Sequence, residues 1–355
     1  MSVGYDRIAR DIAFTLEVKS PKIFEGIFLS NAALLLMGLN GRVKIVRGGN
    51  RFDERVRLGQ NTNVDHRSKF TTISTAYQNN VQTAYYGQAV CDGAVPINFV
   101  EEDQNAGESR ISSLAEDAQD ELMNTFPNKV AAAIMKTTSG ANDPTSIVET
   151  LEATAFGAQT STTGGIVRSS YPGTDLTKAW QTQYNTTAAD LSGAAGVGTV
   201  TSFLWACSPG GAAITEQPDI ALTRSGVLAR MGSAADMLRR FTTNDKMLKY
   251  GFDNFQINRC SFVADATLNA TSALSGYAYI MNTNYAHIQV LAGRNTKTEG
   301  SVTVIGDGKT PIPIQVRPPV ESADALEYII KAYLVYNLTF GGLRNHGLKT
   351  GLTES

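Results

Sequence analysis

The spacing of hydrophobic positions changes several times along the chain, and each change marks an element. Over Asn105–Lys136, the residues Ile111, Leu114, Ala118, Leu122, Phe126, Val130 and Ile134 recur at three- and four-residue steps, which predicts one long helix. Asn105 and Glu108 have capping-box spacing at its start, and Lys129 and Lys136 trail at its end, where the helix dipole favours cations. Pro127 lies inside this stripe; the apolar phase continues past it, so a bend is predicted there and not an end. Elsewhere the period is two. Val43–Val46 and Phe52–Leu58 read as strands, and Val95, Ile97 and Phe99 alternate. In LEYIIKAYLVYNLTF, Ile330, Ala332, Leu334, Tyr336, Leu338 and Phe340 make one apolar face.

The remaining segments fill in around these. Helical patches at Tyr5–Val18 and Ile23–Gly38 are split by Ser20-Pro21. From Thr137 to Gly198 small residues dominate, and GAQTSTTGG and SGAAGVG read as loops around a polar helix near Leu176–Tyr184. PDIALT predicts a buried strand, SGVLARMGSAADMLRRF a helix, and FQINRCSFVAD, GYAYIMN and AHIQVL three further strands. SVTVIGDGKTPIPIQV reads as a hairpin turning at Asp307-Gly308.

One stretch fits none of these classes. VRGGNRFDERVRLGQNTNVDHRSKF, Val46–Phe70, breaks at Gly48-Gly49 and then alternates apolar residues with both signs of charge before running into amides. It is too long for a turn and too patterned for a disordered linker, so it is expected to lie on something. Its dense charged set is Arg47, Arg51, Asp53, Glu54, Arg55, Arg57, Arg67 and Lys69. On an extended, hinged arm such charges fix register against a neighbouring subunit, while strand edges supply backbone hydrogen bonds.

Composition narrows the choices further. With 355 residues, 42% of them apolar and 18% charged, the chain has core enough for about two domains. A net charge of −2 provides no long-range field for nucleic acid or an anionic membrane. Cys91, Cys207 and Cys260 are odd in number and far apart, and read as reduced thiols in a cytosolic setting. The N-terminus lacks a signal pattern, and the apolar run Ile23–Leu39 is interrupted by Glu25, Ser30 and Asn31 and is short for a bilayer. No membrane partner is expected.

Catalytic signatures are sparse. GDGKT resembles the end of a phosphate-binding loop, but Pro311-Ile312-Pro313 forbids the helix that such a loop must open. His66, His287 and His346 have no second ligand at metal-binding spacing, and the common hydrolase, zincin and dinucleotide motifs are missing. Glu101, Glu102 and Asp103 read as a solvated approach to the long helix. No catalytic, cofactor-binding or metal-ligating residue is nominated.

The order of these segments is identifiable. GGNRFDERVRLGQN with its aromatic return TAYYGQAVCDGAVPINF, then EDQNAGESRISSL, PDIALTRSGVLARM, GYAYIMNTNYAHIQVL and LEYIIKAYLVYNLTFGGLRNHGLKTG together resemble a major capsid protein of tailed bacteriophages, over nearly the whole chain. The resemblance implies an α+β fold of the Hong Kong 97 type. Residues 1–42 would be an N-terminal arm, 43–90 an extended E-loop draped over an adjacent subunit, and 91–136 the peripheral domain with its spine helix. Residues 137–284 would be an axial domain, and 285–355 the closing peripheral strands, hairpin and tail. It also implies a virion location, reached from the host cytoplasm, with no reaction catalysed and no cofactor. Partners would be other copies of the chain in hexamers and pentamers, scaffolding, portal and decoration proteins, and packaged double-stranded DNA held by weak contacts. Pro127 would let the spine helix bend between precursor and mature shells, and Lys69 and Asn345 would be the pair for a lysine–asparagine cross-link where one forms. Two other readings stay open: an encapsulin-like shell around enzyme cargo, and a soluble α/β enzyme with an unlisted motif.

Overall fold

The longest alternating stretch, Glu327–Phe340, forms a single fourteen-residue strand in the computed structural model. The structure describes residues 32–59, 61, 63–69, 72–78, 80–100, 125, 128–171, 180–208, 216–235, 254–292, 315–321 and 326–354. In chain order its elements are α1 (Ala32–Leu39), β1 (Val43–Arg47), β2 (Phe52–Arg57), β3 (Val81–Tyr86), β4 (Ala89–Asn98), the short β5 (Thr162–Thr163) and β6 (Ile166–Val167), and β7 (Gln183–Asn185). There follow α2 (Ala194–Ala206), β8 (Ile220–Thr223), α3 (Ser225–Ala235), β9 (Asn254–Ile257), β10 (Cys260–Ala264), α4 (Ala266–Ala270), β11 (Ala278–Met281), β12 (Ala286–Ala292), β13 (Gln315–Glu321), β14 (Glu327–Phe340) and β15 (Gly347–Lys349). The fold is α+β, as the mixture of periods predicts.

Two compact units divide these elements. The first comprises Met1–Asn50, Gln88–Ser146 and Ile288–Asn337, and its sheet is organised on β14. β4 runs antiparallel along Glu327–Tyr336 and β13 along Tyr328–Tyr333, so these two take opposite edges. β12 also joins β14, and β1 lies parallel to β12 in the register Val43↔Ile288. Alternation explains the burial. Ala332, Leu334 and Tyr336 are buried as the sequence predicts, while Lys331 before them is exposed and Tyr333 is half-buried; from Val335 onward both faces are buried. Ile330 lies outside the residues whose side chains are described. Of the predicted long helix, position 125 and residues 128–134 are helical and described; Pro127, the acidic run and the helix start lie outside the described residues, as do Tyr5–Val18 and Asp307-Gly308.

The second unit comprises Arg51–Gly87, Ile147–His287 and Leu338–Ser355. Its six-stranded sheet has the order β7-β15-β11-β8-β10-β9 and mixes parallel with antiparallel pairs. Every residue of β8 and β11, and all but the last of β10, is buried, so these central strands are covered on both faces and read as apolar runs without alternation. Val197, Val200, Phe203 and Leu204 of α2 and Val227, Leu228 and Met231 of α3 share one core with Ala221, Phe262, Ala278 and Ile280 of the sheet.

Several expectations are corrected here. SGAAGVG, read as a loop, contains the start of α2: its glycines permit close packing, and a Cβ on Gly196 would fall 1.9 Å from the Asp190 carbonyl oxygen. FQINRCSFVAD is not one strand but the hairpin β9–β10, turned at Asn258, whose φ of 56° is tolerable for asparagine. Near Leu176–Tyr184, residues 172–179 are outside the described set, and Gln183–Asn185 is a strand on β15 where a helix was expected, because pairing at the sheet edge outweighs its weak helical propensity. GAQTSTTGG holds a small hairpin, β5–β6, with both turn glycines at positive φ. Val43–Arg47 belongs to the first unit's sheet, and Leu338–Ser355 to the second unit, with β15 inside its sheet.

The segment after β15 is fastened by a backbone contact that admits no side chain. Gly276, at φ 70°, accepts a hydrogen bond from Leu352 N at 3.0 Å, and a Cβ there would lie 2.5 Å from the Leu352 oxygen. Gly276→Ala is expected to cost about 1–3 kcal/mol, seen as a lower urea midpoint of the unassembled chain. His346 is fully buried, its Nδ1 accepts from Asn282 N at 3.2 Å, and its ring meets Phe340 edge-on at 5.2 Å. Burial pushes its pKa from 6.5 down to about 3. The unfolded chain therefore takes up this proton first, so the contribution is intact above about pH 6.5 and is lost as pH falls toward 3. Urea midpoints between pH 7 and 4.5 should fall in the parent chain and fall less in His346→Gln.

Candidate functional site

The amphoteric stretch forms one limb and the tip of a hairpin. Gly48 and Gly49, at φ 76° and 95°, make the left-handed turn that leads from β1 into β2. β2 and β3 pair antiparallel from Phe52↔Tyr86 to Arg57↔Val81, and Leu58 N extends the ladder to the Asn80 oxygen at 2.9 Å. Alternation sorts the side chains. Phe52, Val56, Ala84 and Tyr86 face inward and are buried, while Asp53, Arg55, Arg57, Val81, Thr83 and Tyr85 face outward and are exposed.

The inward face rests on its own unit. Tyr85 N donates to the Gly164 oxygen at 2.9 Å, and a Cβ on Gly164 or Gly165 would fall within 3 Å of Ala84 or Tyr85. The β5–β6 turn is thus a platform that only glycine can form. Tyr86 Oη donates to the Phe340 carbonyl at 3.1 Å and accepts from Phe340 N at 3.2 Å. Burial, the largest influence on it, pushes this phenol well above its ordinary pKa. Glu54 turns inward as well, 3.7 Å from His287 Nδ1.

Arg51 bonds Asp53 at 3.0 Å and lies 4.5 Å from the centre of the Tyr85 ring. That exposed pair is worth about 0–1 kcal/mol, whereas burying a side chain such as Phe52 contributes about 1.5–3 kcal/mol. The apolar inward row, and not the charges, holds the base of the hairpin in place.

The tip has its own scaffold. Arg67 donates from Nη1 to the Thr72 oxygen at 2.7 Å and from Nη2 to the Asn63 oxygen at 3.1 Å. Asn63 Nδ2 donates to the Ala76 oxygen at 2.7 Å, and Gln78 Nε2 to Asn63 Oδ1 at 3.3 Å. These bonds hold an apolar set in water: Val64 is 80% exposed, Ile73 73% and Tyr77 90%. Of the sequence-nominated residues, Arg67 thus serves as an internal brace. Arg47, Arg55, Arg57 and Lys69 are exposed, and Arg51 and Asp53 pair with each other. Asn345 is buried, with Nδ2 donating to Glu216 Oε2 at 2.9 Å, which closes it to a lysine arriving from another chain. Sequence reasoning missed the Gly164-Gly165 platform, Asn63 and the Tyr86 hydroxyl; the Gly-Gly doublet was the one available signal.

The described residues contain no cluster of His, Cys, Asp or Glu that could hold a metal. A hollow between Leu204, Trp205, Pro218 and Arg259 has a volume of about 10 Å³, roughly that of one water. Burial raises all three thiols, Cys91 to about 11, which leaves them poorly nucleophilic at neutral pH.

No protein-family model and no curated protein matches the chain by sequence. Solved structures do match by shape. The capsid asymmetric unit of cyanophage A-1(L) superposes with a TM-score of 0.62 at 13% identity, covering 90% of this chain and 92% of that one. The capsid of an empty GTA particle, computed with C5 symmetry, gives 0.52 at 11% identity over 89% and 90%. A holo-SrpI encapsulin complex from Synechococcus elongatus gives 0.50 at 8% identity over 91% and 88%. The chain has the Hong Kong 97-type fold of tailed-phage capsid subunits.

The platform yields one prediction. Tyr86→Phe leaves the Phe340 N–H without its partner and should weaken the seating of the hairpin by about 1–3 kcal/mol. Trypsin cleavage after Arg55 and Arg57 in the unassembled chain is expected to quicken about tenfold.

Proposed function

We propose that this chain is the major capsid protein of a tailed double-stranded DNA bacteriophage, a structural subunit that assembles in many copies into an icosahedral shell and catalyses no reaction. One observation carries the reading: the braced hairpin tip, which holds Val64, Ile73 and Tyr77 in water on a fold shared with capsid subunits. Apolar side chains on a scaffolded projection mark a contact surface. Each such contact is modest, and repetition around a closed shell turns it into avidity. In this reading residues 1–42 are the arm, the hairpin within 43–90 the loop laid over a neighbour, 137–284 with 338–355 the axial domain, and 91–136 with 285–337 and the strand Val43–Arg47 the peripheral domain. Scaffolding, portal and decoration proteins and packaged DNA are its further partners. Its place is the virion, after assembly in the host cytoplasm.

The likeness to an encapsulin complex favours a second reading, a shell around protein cargo. Electron microscopy of the expressed chain should show closed shells; a monodisperse monomer would contradict both readings, and nuclease-resistant DNA in particles isolated from infected or induced host cells separates the first from the second. The triple variant Val64→Ser/Ile73→Ser/Tyr77→Ser is expected to keep the circular dichroism of the parent chain and lower particle yield about tenfold or more, measured by sedimentation.

A further inference from the structure

One residue of the hairpin's inward row breaks its apolar pattern. Phe52 and Val56 are buried, and between them on the same face stands Glu54. Only 12% of its side chain is exposed, and Gly341 closes over it: a Cβ there would lie 3.6 Å from Glu54 Oε1. Enclosing a carboxylate costs free energy unless a neighbour compensates for the lost hydration. Here the neighbour is His287 on β12, 11% exposed, whose Nδ1 lies 3.7 Å away, beyond the length of a hydrogen bond. The His287 backbone is held in turn, its oxygen accepting from Thr339 Oγ1 at 3.2 Å.

Other ionisable groups stand around this pair. The Tyr86 phenol, on β3, is pushed well above its ordinary pKa, chiefly by burial and further by the charge of Glu54. His346 senses His287, and burial keeps it neutral, its pKa pushed down to about 3. Just before β12, Tyr285 Oη donates to Glu216 Oε1 at 2.5 Å, and Asn345 Nδ2 donates to Glu216 Oε2. Arg42, the residue before β1, supplies a cation, and its carbonyl accepts from Ile288 N at 3.1 Å. On the outward face, Arg51 and Asp53 pair with each other. Imidazole is the side chain that changes charge between about pH 5 and 8, so in that range the Glu54 contact switches on His287.

We infer that Glu54 and His287 form a pH-sensitive latch that seats the base of the hairpin more firmly when the imidazole carries a proton. The charges set the sign. A neutral imidazole offers Glu54 a dipole, whereas a proton on Nδ1 turns the same contact into an enclosed ion pair that can close to hydrogen-bond length, where charge assistance strengthens the bond. Seating is therefore tight at the acid end of the range and loosens as pH rises. This is the reverse of the His346 effect, which weakens the whole fold as pH falls. The latch is a property of the single chain and does not depend on the shell reading.

Hydrogen exchange in the full, unassembled chain separates local opening of the hairpin from unfolding of the whole. Protection of the ladder amides in 52–58 and 81–86, corrected for intrinsic rate, should be about fivefold higher at pH 5.5 than at pH 8, while the buried β8 and β11 show no such rise. Glu54→Gln and His287→Gln should each abolish the difference, and His66→Gln, at the exposed tip, should retain it. Equal ladder protection at the two pH values in the parent chain, or higher protection at pH 8, would overturn the latch. So would a difference that survives in Glu54→Gln or disappears in His66→Gln. Should one glutamine variant at the latch lose the circular dichroism of the parent chain, the other decides, and the parent comparison stands without either.

Discussion

A projection of the chain can present apolar side chains to water only if something other than those side chains holds it in shape. In this protein the β2–β3 hairpin meets that constraint twice. At its base, Phe52, Val56, Ala84 and Tyr86 are buried, with Ala84 and Tyr86 against Gly164 and Tyr86 bonded to the Phe340 backbone. At its tip, Arg67 and Asn63 bind backbone oxygens across the loop. The surface left over, Val64, Ile73 and Tyr77, is preorganised at the expense of polar bonds that a flexible loop would give to water. Preorganisation of this sort lowers the ordering cost of association.

The remaining architecture supports that projection. The second unit buries the central strands of its sheet on both faces, with α2 and α3 in one of its cores, so the platform under the hairpin belongs to a body with little freedom to yield. Its last strand, β15, lies between β7 and β11, which ties the end of the described chain into the same sheet. In the first unit β14 has pairing partners along both edges.

Much of this was legible in the sequence wherever one period held. The apolar row Ala332 to Phe340 and the charged-apolar alternation of Phe52–Arg57 were both read to the correct face, although from Val335 the opposite face of the strand is buried as well. Legibility ended where small residues serve packing instead of turning. Gly196 sits inside α2 because the Asp190 backbone approaches it closely, and composition alone cannot distinguish that from a loop. Asn258 turns a hairpin within a stretch that mixes apolar and polar residues throughout, with no Gly or Pro to announce it. Charges were the least legible part of the site. Arg67 looks like its neighbours in the sequence, yet its role as a brace depends on carbonyl groups at Asn63 and Thr72 that only the folded loop brings together.

The account depends on the tip finding its cover in another molecule. Amide hydrogen exchange over residues 61–78, measured on the dissociated chain and on assembled particles, tests this most directly. Slow exchange that appears only in particles, together with an unchanged rate for the buried β8 and β11, is the expected result. Equal protection of 61–78 in both states, or a protected tip in a chain that never assembles, would contradict it.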